Sequence, residues 1–409
     1  MPKKTNLKIR FILCGILCVL LVCGSSCSED CKDSNLVIPS NIEDECEYEV
    51  KSLGKIGEGA FPRVSPDGNS ITFTKEVNSQ FEVFGMNMDG TDIKCLTCNK
   101  EALKETRNRG QSSWHPSGKY ITFTAETTKY PRKGDGTTTR PGIGRNHNIW
   151  IMTSDGTFFW QVTDYPDNWG AIEPYFSYGG TMLHWDEEFM MEKYPYGKPS
   201  VDKHCGCYWG PGNWMFRKGE ELCAWRIKYA DIVFDIDGAP VVSNTRTLDP
   251  PDNLTLIESN GFIADDTGFT ASYVDLREYK TGEAGDIYIH YLNDELERLT
   301  KSSQPDEDPV SSPDGKMIAW KYCNKYPCEG DDEIYLMDSH GENKVRLTNF
   351  SDPSSDYYDP QAKQNTEISW KPDGSALVFG HVSSNETMGP HIPSDIYVLS
   401  FKGNCGNST

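Results

Sequence analysis

Beyond residue 46 the chain alternates short apolar stretches with clusters of Gly, Pro, Asp and Ser. After residue 30 no long stretch carries apolar residues at helical spacing. Alternation at period two gives each stretch two distinct faces, which predicts strands. One nine-residue pattern keeps returning: SPDGNSITF at 65–73, HPSGKYITF at 115–123, SYGGTMLHW at 177–185, SPDGKMIAW at 312–320 and KPDGSALVF at 371–379. In each, a turn ends in Gly, an aliphatic residue follows three positions later, and an aromatic residue stands two beyond that. Such a recurrence is an internal repeat, and it decides the architecture before any single motif does.

The repeat extends further. A third stretch, such as NIWIMTSDG (148–156), DIYIHYLND (286–294) or EIYLMDSHG (333–341), precedes a short one ending in Leu96-Thr97, Val162-Thr163, Leu299-Thr300 or Leu347-Thr348. Four short strands joined by Gly turns are the content of a propeller blade. Six units begin near Phe61, Gln111, Glu173, Gly261, Asp308 and Glu367; the fourth is degenerate, but Gly268, Ala271 and Tyr273 keep its spacing. The sixth lacks an outer strand, while YEVKSLGKI (48–56) stands alone ahead of the first. The expectation is an all-β fold: a six-bladed β-propeller of four-stranded antiparallel blades, its ring closed by the N-terminal strand completing the last blade. Cys46 opens that strand and Cys405 follows its partner, so a Cys46–Cys405 disulfide is expected. A second bridge, Cys323–Cys328, is expected within one loop.

The SPDG turn, the IYLMD-x-x-G strand and the closing LT resemble the TolB-like six-bladed β-propeller family over residues 46–403. The resemblance implies a fold more than a function. Propellers of this kind occur in periplasmic TolB, in surface lipoproteins, as lids of prolyl oligopeptidases and in oligogalacturonate lyases. TolB carries a further N-terminal α/β domain, for which residues 28–45 are too short and too acidic. No G-x-S-x-G nucleophile elbow occurs in the chain.

The N-terminus reads as a targeting segment. A basic start, MPKKTNLKIR, leads into the 13-residue apolar run FILCGILCVLLVC and then GSSC. Residues 1–26 are therefore expected to be a secretory signal, too short in its apolar part to span a bilayer comfortably. Small residues before Cys27 resemble a bacterial lipobox, with Gly24 where Leu is usual. This makes Cys27 the expected lipidation site and 27–45 an acidic linker; plain cleavage near Ser26 is the alternative. Losing Lys3, Lys4, Lys8 and Arg10 with the signal takes the net charge from −21 to −25. Such a surface repels nucleic acid and anionic lipid, so membrane contact is expected only through an N-terminal lipid anchor. Of the 14 cysteines, ten remain beyond the signal and Cys27, an even number that reads as disulfides in an exported chain. CLTC at 95–98 lacks the βαβ setting of a redox pair. The expected product is a monomer, either periplasmic or an outer-membrane or cell-surface lipoprotein.

Strand order assigns faces. The SPDG and DG turns share one face, called the bottom. The connection from second to third strand shares the top with each blade entrance, and the long insertions 126–147, 187–222 and 381–394 all fall there. The entrances carry Gln111, Glu173, Asp308 and Glu367, with Glu258 and Glu307 close by, and a ring would gather them at its channel mouth. Gathered carboxylates repel one another unless a cation compensates, and Ca2+ suits an all-oxygen set. The plainer alternative is a wet mouth of solvated acids. Arg109, Arg145 and His147 border the second blade and are expected to meet an anionic group at the rim. His147, His204, His381 and His391 fall in top loops without metal-ligand spacing. The expected function is binding of a protein, peptide or glycan through the top face. No catalytic residue is assigned; the alternative is a metal-assisted polysaccharide lyase or hydrolase resembling oligogalacturonate lyase.

Overall fold

A computed structural model describes residues 48–131, 139–191, 222–251, 253–275, 277–278, 285–323, 332–383 and 394–402. Strand β1 (Val50–Glu58) precedes a first sheet of β2 (Ala60–Val64), β3 (Ser70–Val77), β4 (Gln80–Asn87) and β5 (Lys94–Cys95). A second contains β6 (Thr106–Trp114), β7 (Tyr120–Thr127), β8 (His147–Thr153) and β9 (Phe159–Gln161). Then come β10 (Gly170–Phe176), β11 (Met182–Met191), β12 (Leu222–Phe234), β13 (Pro240–Leu248), β14 (Leu254–Phe262), β15 (Gly268–Asp275), β16 (Asp286–Tyr291) and β17 (Leu296–Arg298), all in one sheet. Another sheet holds β18 (Asp306–Ser311), β19 (Met317–Cys323), β20 (Asp332–Asp338) and β21 (Val345–Arg346). In the last, β22 (Ala362–Trp370), β23 (Ala376–Ser383) and β24 (Ser394–Phe401) are joined by β1.

The fold is all-β, a propeller-like arrangement of antiparallel sheets. Four sheets have the expected four strands, but the third and fourth units are not separate: β10 to β17 form a single eight-stranded sheet. The reason lies in β12, which runs for 13 residues. Its pairing with β13 ends at Ile227↔Leu248, and before that point, still paired with β11 on its other edge, it takes up β14 instead: Trp225 pairs with Leu256. At the other end of the chain β1 runs antiparallel to β24, with Leu53 opposite Leu399. The first sheet also meets the last directly: the Val64 amide donates to Ser369 Oγ at 3.1 Å and the Gly59 amide to the Ser394 carbonyl at 2.8 Å.

The repeated pattern fills the space between sheets. Its aliphatic and aromatic positions share one strand face, and Ile71, Phe73, Ile121, Phe123, Leu183, Trp185, Ile318, Trp320, Leu377 and Phe379 are all buried. They pack sheet to sheet: Ile71 and Phe73 meet Val378 and Ile396, while Ile318 and Trp320 meet Ile287 and Ile289. Each such side chain contributes about 1.5–3 kcal/mol by leaving water. The closing Thr has its own use. Thr97, Thr163, Thr300 and Thr348 each accept, through Oγ1, the backbone amide of Val83, Ile149, Ile287 or Ile334 at 2.9 Å. This ties the end of each short fourth strand back to the third. On the bottom face Ser65 donates to Asp67 at 2.5 Å and Ser312 to Asp314 at 2.6 Å, and Gly68 and Gly315 take the left-handed φ of 71° and 72° that these turns require.

Cys95 and Cys98 form a disulfide, and Cys323 is disulfide-bonded. The expected partners Cys328, Cys46 and Cys405, the signal segment and Cys27 lie outside the described residues.

Candidate functional site

Every inner strand has a slip in its pairing register at one of the six residues from which the units were counted, and β6, β14 and β22 each carry a second slip as well. All six are left-handed: Phe61 (φ 55°), Gln111 (47°), Glu173 (52°), Gly261 (98°), Asp308 (54°) and Glu367 (36°). For a residue with a Cβ that conformation costs on the order of 1–3 kcal/mol and persists only where the surroundings enforce it. The return is geometric, because a bulge re-aims one side chain out of the alternating pattern.

The re-aimed polar groups form a network. Arg63, two residues after the first bulge, is its hub. Its Nη2 lies 2.5 Å from Glu367 Oε2 and 3.5 Å from Glu173 Oε2, and it also donates to the Tyr175 hydroxyl. Tyr175 in turn donates to Glu173 Oε2 at 2.6 Å, and Gln111 Nε2 donates to Glu173 Oε1. A second cation, Lys321, sits 2.8 Å from Asp308 and 3.0 Å from Glu307. The Asp308 amide donates to Glu258 Oε1 at 3.3 Å. Glu173, Glu258 and Glu367 each bring a carboxylate oxygen to within 4.8 Å of the others.

These groups are not at a wet mouth. Glu173 is 2% exposed, Gln111, Asp308 and Glu367 4%, Glu258 5% and Glu307 7%. The expectation of solvated rim acids is therefore corrected: the bulges turn the side chains inward, away from water. The electrostatic consequence is plain. Burial, then the adjacent Glu367, push the Glu173 carboxyl well above its usual range against the pull of Arg63. Burial, then Asp308, do the same to Glu258. Burial raises Glu367 despite Arg63, and burial raises Asp332 despite Lys321. Burial also opposes ionisation of Asp308, but Lys321 outweighs it and holds that carboxyl below the usual range. The centre thus sets six carboxyl groups, counting Asp332, against Arg63 and Lys321.

Three other expected residues lie elsewhere. Arg109 is not at a rim: it is buried, with Nη1 2.7 Å from Glu82 and Nη2 donating to the carbonyls of Leu103 and Thr106. Arg145 is buried and bridged by its backbone to Gly170; its Nε and Nη2 meet no hydrogen-bond partner among the described residues. His147 is buried, donating from Nε2 to the Thr139 carbonyl at 2.7 Å, and burial lowers its pKa. His381 is stacked on Phe350 at 3.9 Å and bonded to Asn365 and Asp359, so these two histidines are engaged separately. His204 and His391 lie outside the described residues.

The sequence reading missed Arg63, Tyr175 and Lys321. Arg63 and Tyr175 each follow a bulge residue by two positions, on the strand face that the bulge shifts. Lys321 interrupts the apolar stretch MIAWKYC and stands opposite Glu307 in the ladder. The signal was a charge inside a core strand.

No protein-family model and no curated protein matches the chain in sequence. Among solved structures it is similar to an oligogalacturonate lyase from Vibrio parahaemolyticus, at 11% identity and a TM-score of 0.47, covering 84% of this chain and 78% of that one. It is similar to TolB from Acinetobacter baumannii at 14% identity and a TM-score of 0.45, covering 86% of this chain and 65% of that one. A third similarity is to an acylaminoacyl peptidase from Pyrococcus horikoshii, at 13% identity and a TM-score of 0.44, covering 87% of this chain and 48% of the peptidase. The chain thus spans under two thirds of that TolB and about half of the peptidase.

Proposed function

We propose that the protein is an exported six-bladed propeller, tethered through Cys27, that binds a protein or peptide partner by receiving a positively charged group at its acidic centre. In this reading the eight-stranded sheet counts as two blades joined by the overlong β12, and β1 completes the last blade. The six recurring bulges and the pairing of β1 with β24 support that count. The approach is from the top face. There β10 begins opposite the end of β11, with Gly170 across from Glu188.

The observation that carries the reading is the charge imbalance of the centre. Six buried carboxyl groups around two cations make a poor structural device, because unpaired buried charge costs stability. They make a good receptor for a cation, whose arrival relieves the repulsion. The same imbalance disfavours a lyase acting on an acidic polysaccharide, whose charge the centre repels, and no observation singles out that reading.

Binding of labelled Lys- and Arg-rich, neutral and Asp-rich peptides, and of neutral and acidic oligosaccharides, tests this by anisotropy at low and moderate salt. Basic peptides are expected to bind, to weaken with salt, and to be lost in E258Q, whose thermal melt is not lowered. Preference for acidic ligands, or basic-peptide binding unaffected by E367Q and E258Q, would overturn the reading.

A further inference from the structure

We infer that Glu173, Glu258 and Glu367 hold a single hard divalent cation, of which Ca2+ is the type, with Gln111 as a fourth ligand. The inference rests on the reading of the centre as a cation-receiving site and specifies one occupant of it. Three observations carry it. The three carboxylates come from β10, β14 and β22, which are far apart in sequence, yet each places an oxygen within 4.8 Å of the others. Two oxygens bound at about 2.3–2.6 Å on opposite sides of one Ca2+ are separated by about that span.

The second observation is Gln111. It is 4% exposed, and its Nε2 donates to Glu173, which fixes the amide against the cluster. Among the described residues its Oε1 has no hydrogen-bond partner. A buried amide oxygen without a donor is costly, and a cation beside Glu173 would satisfy it. The left-handed backbone at Gln111, Glu173 and Glu367 is what turns these three side chains to a common point. The third observation is the donor set. It is all oxygen, with neither imidazole nor thiolate, and this favours Ca2+ over the softer Zn2+. Arg63 engages Oε2 of Glu367 and, together with Tyr175, Oε2 of Glu173, while Glu173 Oε1 accepts from Gln111 and keeps its second lone pair.

The test uses the mature chain stripped with a chelator and titrated calorimetrically with CaCl2 and, separately, MgCl2. One equivalent of Ca2+ is expected, with Kd on the order of 10⁻⁵–10⁻³ M and Mg2+ weaker. E258Q should weaken binding by about ten-fold or more through loss of one ligand charge, while D314N, in an exposed bottom turn, should not change it. Absence of saturable binding, or a site insensitive to E258Q, E173Q and E367Q, would overturn the inference.

To keep the test independent of folding in the Gln variants, a second measurement uses Tb3+ on a chain with all three carboxylates intact. Tyr175 touches Glu173, so emission sensitised through tyrosine is expected, displaceable by Ca2+ and reduced in Y175F at saturating Tb3+. Emission unchanged in Y175F would place the ion elsewhere. If basic peptides bind but Ca2+ does not, this inference falls and the binding reading stands; if neither binds, both fall.

Discussion

Two buried acidic sites in this molecule are built on opposite terms. Glu82 and Arg109 are a matched pair: one carboxylate, one guanidinium, 2.7 Å apart. The second oxygen of Glu82 accepts from Thr97 at 2.6 Å, and Arg109 spends its remaining donors on Thr106 Oγ1 and two carbonyls. At the centre, Arg63 and Lys321 are outnumbered, and among the described residues Gln111 Oε1 is left without a donor. A buried charge network adds little to stability unless every member is satisfied. The first site meets that condition and reads as structure. The second does not, and a fold under selection for stability alone would have replaced some of its carboxyl groups with apolar residues.

The comparison is broken most readily at the matched pair. R109A leaves Glu82 buried and uncompensated, and should cost about 3–5 kcal/mol, read as a shift of the urea midpoint at unchanged slope. A loss below about 1 kcal/mol would mean that the pair is replaceable, and the contrast with the centre would lose its basis.

How much of this was legible beforehand follows from where the signals lie. The SPDG turns and the aliphatic-x-aromatic strands were readable because turn chemistry and burial act locally, within nine residues. Counting units from Phe61, Gln111, Glu173, Gly261, Asp308 and Glu367 located one bulge in each inner strand, although nothing in the sequence announced a left-handed backbone there. Burial of Glu173 and Glu367 was not readable. It depends on Arg63, separated from Glu367 by 304 positions in the chain, and such long-range charge pairing has no local trace. Arg109 misled for the same reason: a cation beside a blade entrance looks like a rim residue until Glu82 is seen across from it. The fusion of two units was hidden in the length of β12, since an insertion in the sequence does not show which part of it continues a strand.

An intermediate case sharpens the comparison. Asp306 is buried, and among the described residues no cation is in hydrogen-bonding contact with it; Trp320 Nε1 donates to its Oδ1 at 2.7 Å. Burial raises its pKa from 3.8 to about 7. Below pH 4 the carboxyl is protonated whether folded or not. Between pH 4 and 7 the unfolded chain ionises first, so stability falls as pH rises, and above 7 the loss is complete. The loss amounts to about 3–4 kcal/mol. Urea midpoints between pH 4 and 8 should decline less steeply in D306N by that amount, because Asn keeps the acceptor for Trp320 without the charge. Equal slopes in the two proteins would show that Asp306 ionises normally and that burial alone does not mark an unmatched acid.

The smallest expected effect is the most diagnostic, because it is a difference of sign. Glu258 has no cation in hydrogen-bonding contact among the described residues, accepts the Asp308 amide through Oε1, and faces the carboxyl groups of Glu173 and Glu367. Burial and then Asp308 oppose its ionised form. Exchanging it for Gln keeps an oxygen for the amide and removes a repelling charge. E258Q should therefore raise stability by about 1–2 kcal/mol at pH 8 in chelator. E82Q, an identical change at the matched pair, should lower stability by about 1–3 kcal/mol, because it strips Arg109 of its counter-charge. Adding Ca2+ should narrow the gap from the other side, since wild type gains from the ion what E258Q no longer can. Two melts with opposite shifts would establish that the centre gives up stability to remain acidic. Two shifts of the same sign would mean that Glu258 is as well matched as Glu82, and that the centre, for all its carboxyl groups, is part of the scaffold.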